Sequence, residues 1–285
     1  MGVVVEGVWK FFGSTAALRG VSWRAGGRGL FLVLGPNGSG KTTLLRILCG
    51  VYRPSRGRVE VLGEDPWSSR TLYRRVAAYF DDVGLPWWLR GIDLLKVFAS
   101  RLGVDWSDVV RVAEELGVTS YWSRRVWSYS SGMRKRLALV TVFSRSVDLY
   151  ILDEPLTLLD REGRELVAKY LERLSREAMV IVASHIVADL APLAREAMVL
   201  INGVKVFDTS ERRDAPLRVV CSVDSREGAS SIVDALLESG CRVVNVERSR
   251  VEAVCLGSAP RIDQCSYRID VEEVYRLAME TSVGV

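Results

Sequence analysis

Residues 35–43 read Gly-Pro-Asn-Gly-Ser-Gly-Lys-Thr-Thr and follow directly on the apolar run Leu30–Leu34. The spacing is G-x-x-x-x-G-K-T at a strand-to-helix junction, the pattern of a loop that grips phosphate. Its glycines let the backbone curl so that successive N–H groups point inward. A helix from Thr42 to about Cys49 adds the positive end of its dipole. Lys41 is expected to reach the β- and γ-phosphates, and the Thr42 hydroxyl to ligate Mg²⁺. Gly35, Pro36, Asn37, Gly38, Ser39, Gly40, Lys41, Thr42 and Thr43 are therefore the candidate nucleotide cradle.

Outward from this loop, short strands are expected at Val3–Val8 and Val21–Arg24, around a turn at Gly13–Ser14. Others are expected at Leu30–Leu34, Arg58–Leu62, Val76–Phe80, Leu149–Leu152, Met179–Ala183 and Met198–Ile201. Helical spacing covers Leu94–Leu102, Val109–Leu116, Met133–Phe143 and Arg161–Glu177. Strands alternating with helices imply a mainly parallel sheet covered by helices. Pro216 marks a change. Beyond it a strand (Leu217–Val223), a helix (Glu227–Glu238), two strands (Arg242–Glu247, Arg250–Leu256) and a helix (Val271–Thr281) read as a separate α+β module, joined at Glu211–Pro216.

Three further stretches carry chemistry. Leu149–Leu152 ends in Asp153-Glu154, two carboxylates at the edge where such sheets bind ligands. Asp153 can hold Mg²⁺ through water, and Glu154 is placed to orient and deprotonate an attacking water. The strand Met179–Ser184 leads to His185, the only histidine in the chain. Its expected role is to contact the γ-phosphate and steady the water. Ser130-Ser131-Gly132 opens a helix, where a hydroxyl and free backbone N–H groups make an anion site.

The chain has 285 residues, 48% hydrophobic and 26% charged, with a net charge of +4 and pI about 8.8. That balance is ordinary for a globular protein and too mild to argue for nucleic acid. No signal peptide and no bilayer-crossing stretch is visible, so a cytoplasmic location is expected. Of the five cysteines, Cys221, Cys241, Cys255 and Cys265 fall in the last third without metal-ligand spacing. Buried thiols are the default expectation. Intracellular disulfides do occur in hyperthermophiles, and a single Gln, Gln264, fits a hot habitat.

Over about residues 3–210, the ordered motifs resemble the ATP-binding subunits of ABC transporters, the export type most closely. Tyr129–Met133 resembles the family's signature, usually Leu-Ser-Gly-Gly-Gln. Asp153-Glu154 ends a Walker-B-like strand. Leu158-Leu159-Asp160 resembles the D-loop, and His185 the switch histidine. Phe12 matches the aromatic that stacks on adenine, with Phe11 beside it as a rival. The resemblance implies a P-loop NTPase core with a mainly parallel sheet, an antiparallel β subdomain and a helical subdomain at about 84–145. The ATP-binding domain would cover 1–212 and the α+β module 213–285. It also implies ATP and Mg²⁺ as cofactors, with Lys41, Glu154 and His185 catalytic. Ser130, Ser131, Gly132 and Asp160 would contribute to nucleotide binding across a head-to-tail pair, formed with a second copy or a paralogous subunit. The pair would drive a separate membrane permease from the inner face of the cell membrane. A soluble ABC-type ATPase not coupled to transport is the alternative.

The sequence departs from the family pattern in two places. The signature has Ser131 for Gly and Met133 for Gln. Asp82 stands where the family places a Gln that contacts the metal. Pro86-Trp87-Trp88-Leu89 has two readings: packing within the helical subdomain, or an exposed patch that docks on the permease.

Overall fold

The apolar run at Leu30–Leu34 becomes a fully buried strand in the middle of a six-stranded sheet. A computed structural model describes residues 2–81, 84–210, 216–247, 249–256 and 259–282. In chain order its elements begin with β1 (Gly2–Phe12), β2 (Thr15–Gly26) and β3 (Gly29–Leu34). Then come α1 (Lys41–Leu48), β4 (Arg56–Val61), a single turn α2 (Leu72–Arg75) and β5 (Val76–Tyr79). Helices α3 (Gly91–Leu102), α4 (Trp106–Glu115) and α5 (Ser131–Phe143) follow, then β6 (Leu149–Asp153), α6 (Arg161–Glu177) and β7 (Met179–Ser184). The next strands are β8 (Ala194–Ile201) and β9 (Val204–Asp208). The C-terminal elements are β10 (Leu217–Ser222), α7 (Arg226–Glu238), β11 (Arg242–Glu247), β12 (Arg250–Cys255), β13 (Cys265–Ile269) and α8 (Val271–Ser282).

The main sheet has six strands in the order β5-β6-β7-β3-β8-β9. β3 pairs in parallel with β7, β7 with β6, and β6 with β5. Every residue of β6 and β7 is buried, which accounts for their unbroken apolar sequence up to the terminal polar residues. A second sheet, β2-β1-β4, is antiparallel. Here apolar and polar residues alternate, as in the run from Val21 to Gly26, so one face is covered and the other wet. α3, α4 and α5 pack on one another as a helical cluster. Gly91, the first residue of α3, lies so close to the Tyr129 hydroxyl that a Cβ would come within 2.3 Å of it. Tyr129 in turn donates to the carbonyls of Tyr121 and Arg124, at 3.0 and 3.3 Å. This is the fold class expected from the sequence: a P-loop NTPase core with a parallel sheet, an antiparallel β sheet and a helical cluster.

The chain separates into two compact units: the residues through Arg195 with Leu200–Lys205, and Glu196–Val199 with the residues from Val206 onward. The proposed joint at Glu211–Pro216 lies, except for Pro216, outside the described residues. In the second unit β11-β12-β10-β13 form an antiparallel sheet. Val219, Cys221, Val251 and Ala253 of that sheet pack against Ile232 and Leu236 of α7. The expectation of free thiols fails here. Cys221 stands directly opposite Cys265 in the β10–β13 register and is bonded to it, and Cys241 is bonded to Cys255. Cys49 is the one free cysteine.

Candidate functional site

The loop after β3 wraps back over its own strand end, and glycine is what permits it. Gly35 has φ +153, and a Cβ there would sit 2.1 Å from the Leu200 carbonyl oxygen. Gly40 has φ +101, with the Ala17 carbonyl oxygen 2.6 Å from where its Cβ would lie. The Ser39 N–H donates to the Pro36 carbonyl, and the Ser39 carbonyl accepts from Gly203 N–H. α1 then starts at Lys41 with its first-turn N–H groups toward the loop. Asn37 and Gly38 are exposed at the tip, Gly35 and Ser39 are buried at the base, and Thr43 is half-buried in the first turn.

Lys41 is buried, and its ammonium donates to the carbonyls of Gly35 at 2.7 Å and Pro36 at 3.1 Å. Its third neighbour is Glu154 Oε1 at 3.6 Å. Burial lowers the Lys41 pKa, and the carboxylates of Glu154 and Asp153 partly restore it. Thr42 donates its hydroxyl to Asp153 Oδ2 at 2.7 Å, joining the start of α1 to the end of β6. Burial also raises the Asp153 pKa, opposed by the bond from Thr42. Glu154 follows β6 with φ +50, a left-handed backbone that a non-glycine residue rarely adopts. Its N–H donates to the Ala183 carbonyl of β7 at 2.9 Å. Its Oε2 lies 2.9 Å from His185 Nδ1 and accepts from the His185 N–H at 3.4 Å.

Lys41, Thr42, Asp153, Glu154 and His185 thus converge, although 144 positions separate the first from the last (185 − 41). Three buried oxygens in this cluster make no hydrogen bond among the described residues: Ser39 Oγ, Asp153 Oδ1 and Glu154 Oε1. Buried oxygens without donors are costly unless a ligand or water meets them. A glycine-lined loop, a buried ammonium, a hydroxyl–carboxylate pair and a free carboxylate oxygen fit a polyphosphate with a hard divalent cation.

The other sequence candidates fall elsewhere. Ser130 caps α5, its hydroxyl accepting from Met133 N–H at 3.2 Å, and Ser131 is exposed beside it. Gly132 faces the Leu158 carbonyl, 3.1 Å from an added Cβ. Asp160 caps α6, its carboxylate accepting from Gly163 N–H at 2.8 Å. Among the described residues, no hydrogen bond or ion pair joins Ser130, Ser131, Gly132 or Asp160 to residues 35–43. Phe12 is exposed at the end of β1, edge-on to Tyr52, while Phe11 stacks on Trp9. Asp82 lies outside the described residues. Trp87 and Trp88 are 63% and 54% exposed, which overturns packing inside the helical cluster as the reading of that run. Trp127, 64% exposed, donates its backbone N–H to the Trp87 carbonyl, and the Trp87 and Trp88 rings meet edge to face.

Sequence reasoning missed Lys135. The run Arg134-Lys135-Arg136 makes the start of α5 basic, yet Lys135 is buried and bonded beneath Glu154. Only its place four positions before buried Leu139, on the same face of α5, hinted at this.

The sequence pattern of the family described as ABC transporter matches residues 18–157. The Nod factor export ATP-binding protein I of Rhizobium sp. (strain N33) is 30% identical over 227 residues, 77% of this chain and 74% of that protein. The trehalose/maltose import ATP-binding protein MalK of Thermococcus litoralis is 32% identical over 195 residues, 62% of this chain and 50% of that protein. A solved structure described as the ATP binding subunit of an ABC transporter superposes with a TM-score of 0.66 at 21% identity, over 73% of this chain and 89% of that one. No helix among the described residues is long and apolar enough to cross a membrane. With the phosphate loop, the carboxylate pair and the histidine in one place, the chain belongs to the ABC transporter family as one of its ATP-binding proteins.

Proposed function

We propose that this chain hydrolyses ATP as a subunit of an ABC transporter and drives a separate membrane permease, in the export direction. The convergence of Lys41, Thr42, Asp153, Glu154 and His185 carries the reading. The basic run after Met133 and the Nod factor exporter's likeness support export.

In this reading Lys41 exchanges its loop carbonyls for the β- and γ-phosphate oxygens. Thr42 and Asp153 hold Mg²⁺, with Asp82 as a further contact, and the metal supplies charge neutralisation when bound. Glu154 accepts a proton from water and orients it, and His185, hydrogen-bonded to that carboxylate, holds it in place. Phe12 offers a ring face to adenine. Ser130, Ser131 and Gly132 of one subunit close on the nucleotide held by residues 35–43 of a second copy or paralogue, with Asp160 at the same seam. Their separation from residues 35–43 within one chain supports such an arrangement in trans. The exposed pair Trp87 and Trp88 suits docking on the permease, because exposed aromatics are common interface anchors. Residues 1–212 act as the ATP-binding domain, and 213–285 as a regulatory or dimerising module. The protein then sits peripherally on the cytoplasmic face of the membrane.

Gentle solubilisation of host membranes and purification of the tagged chain should recover a multi-span membrane protein. Replacing Trp87 and Trp88 by Ala should abolish that recovery while ATP binding persists. A chain that purifies with no membrane protein and stays out of the membrane fraction would favour a soluble ATPase.

A further inference from the structure

Lys135 lies in α5 with its side chain 2% exposed, two positions after the last signature residue, Met133. An ammonium so deeply buried must have all of its donors met. It has three acceptors. They are the Glu154 carbonyl at 2.8 Å, the Thr157 hydroxyl at 2.5 Å and Asp81 Oδ1 at 3.0 Å. The Thr157 hydroxyl in turn donates a hydrogen bond to the same Glu154 carbonyl at 2.9 Å. Asp81 also accepts from the Tyr79 hydroxyl at 2.7 Å. One cation therefore ties together α5, the turn after β6 and the loop after β5.

What it holds is the peptide of Glu154. That residue sits at φ +50, a conformation that is strained for a residue with a Cβ. Such a conformation persists only where the surroundings over-determine it. Here the N–H of Glu154 is held by Ala183, and its carbonyl is held by Lys135 and Thr157. With both sides of the residue fixed, the carboxylate has little choice of direction. It points to His185 Nδ1 and toward Lys41.

We infer that Lys135 is a positioning residue for hydrolysis: it locks the left-handed backbone of Glu154, aims that carboxylate, and makes its aim depend on Asp81. The inference rests on the reading of Glu154 as the group that orients water. Lys135 touches neither nucleotide nor water in this account and acts through Glu154. Removing it should therefore cost turnover rather than nucleotide affinity.

The test compares Lys135→Met, Lys135→Arg, Thr157→Val, Glu154→Gln and the double variant Lys135→Met/Glu154→Gln in the full chain. It measures ATP affinity by titration, kcat and KM for ATP, and single-turnover hydrolysis. Lys135→Met should lose about tenfold or more in kcat, as a misplaced reacting group does, while KM and ATP affinity hold within about twofold. Lys135→Arg should recover part of that loss. Should the Met variant fail to fold, Thr157→Val keeps the ammonium and its two other acceptors, and should show the same split with a smaller loss. In the Glu154→Gln background, Lys135→Met should cause no further loss of the single-turnover rate. Unchanged kcat in a folded Lys135→Met, or an equal loss with and without Glu154, overturns the inference while leaving Glu154 in its role. Full turnover by Glu154→Gln would overturn both.

Discussion

At the residue scale the site is set by burial working against charge. Lys41 and Asp153 are both buried, and burial penalises the ionised form of each. The signs are opposite. The lysine loses its proton at lower pH than its ordinary 10.5, and the aspartate gains one at higher pH than its ordinary 3.8. ATP binding needs the ammonium, and metal binding needs the carboxylate. The profile of kcat/KM against pH, which reports the free protein, should therefore fall on the alkaline side before solvent lysines titrate. On the acid side it should fall before a solvent aspartate would. Glu154→Gln should leave both limbs in place at a much lower plateau. A profile flat up to pH 10.5 would mean that Lys41 does not carry the binding charge.

Elements bring these residues together, and they also explain which parts could be read in advance. Ser130 caps α5 and Lys41 opens α1, and among the described residues no hydrogen bond or ion pair joins them within one chain. A mixture of Ser130→Arg and Lys41→Ala subunits can form one intact composite site, so ATPase activity on mixing should exceed the sum of the separate activities. No gain, with heterodimers shown by differential tags, would count against sites shared between subunits. Strands that are buried on both sides were legible, because continuous apolar runs such as Leu149–Leu152 have few other readings. α6 was legible end to end from Arg161 to Glu177, its charges and apolar stripe alternating at helical spacing, whereas the capping role of Asp160 was not. β9 was missed, although Asn202-Gly203 before it is a strong hairpin signal, and both residues do have positive φ. Within β9 the pattern is short and half exposed, which weakens the strand signal. Lys135 and the left-handed Glu154 were not legible. Their partners come from other parts of the chain, and local pattern carries no record of them.

At the scale of the whole molecule the two units are stabilised differently. The first buries the apolar core around β3, β6 and β7, whereas the second is small and cross-linked twice. Sequence spacing could not pair those cysteines, since four allow three connectivities, and only the β10–β13 register puts Cys221 opposite Cys265. Sequence separations of 14 and 44 residues correspond to about 3 and 4 kcal/mol in the chain-entropy account. The two loops are nested, so these do not add. Protein unfolded without reductant should therefore titrate one thiol, that of Cys49, and reductant should lower the melting of the second unit by about ten degrees or more while ATP binding survives. Five reactive thiols would show that the bridges do not form. Glu154 as the group that orients water and the pairing of subunits around ATP are probed together by one variant. Purified Glu154→Gln should be mixed with ATP and Mg²⁺, then sized and assayed for hydrolysis. The variant should bind ATP tightly, turn over about a hundredfold or more slower, as loss of a general base gives, and form a stable ATP-bound dimer. Normal turnover from a protein that remains monomeric with ATP bound would contradict both assignments.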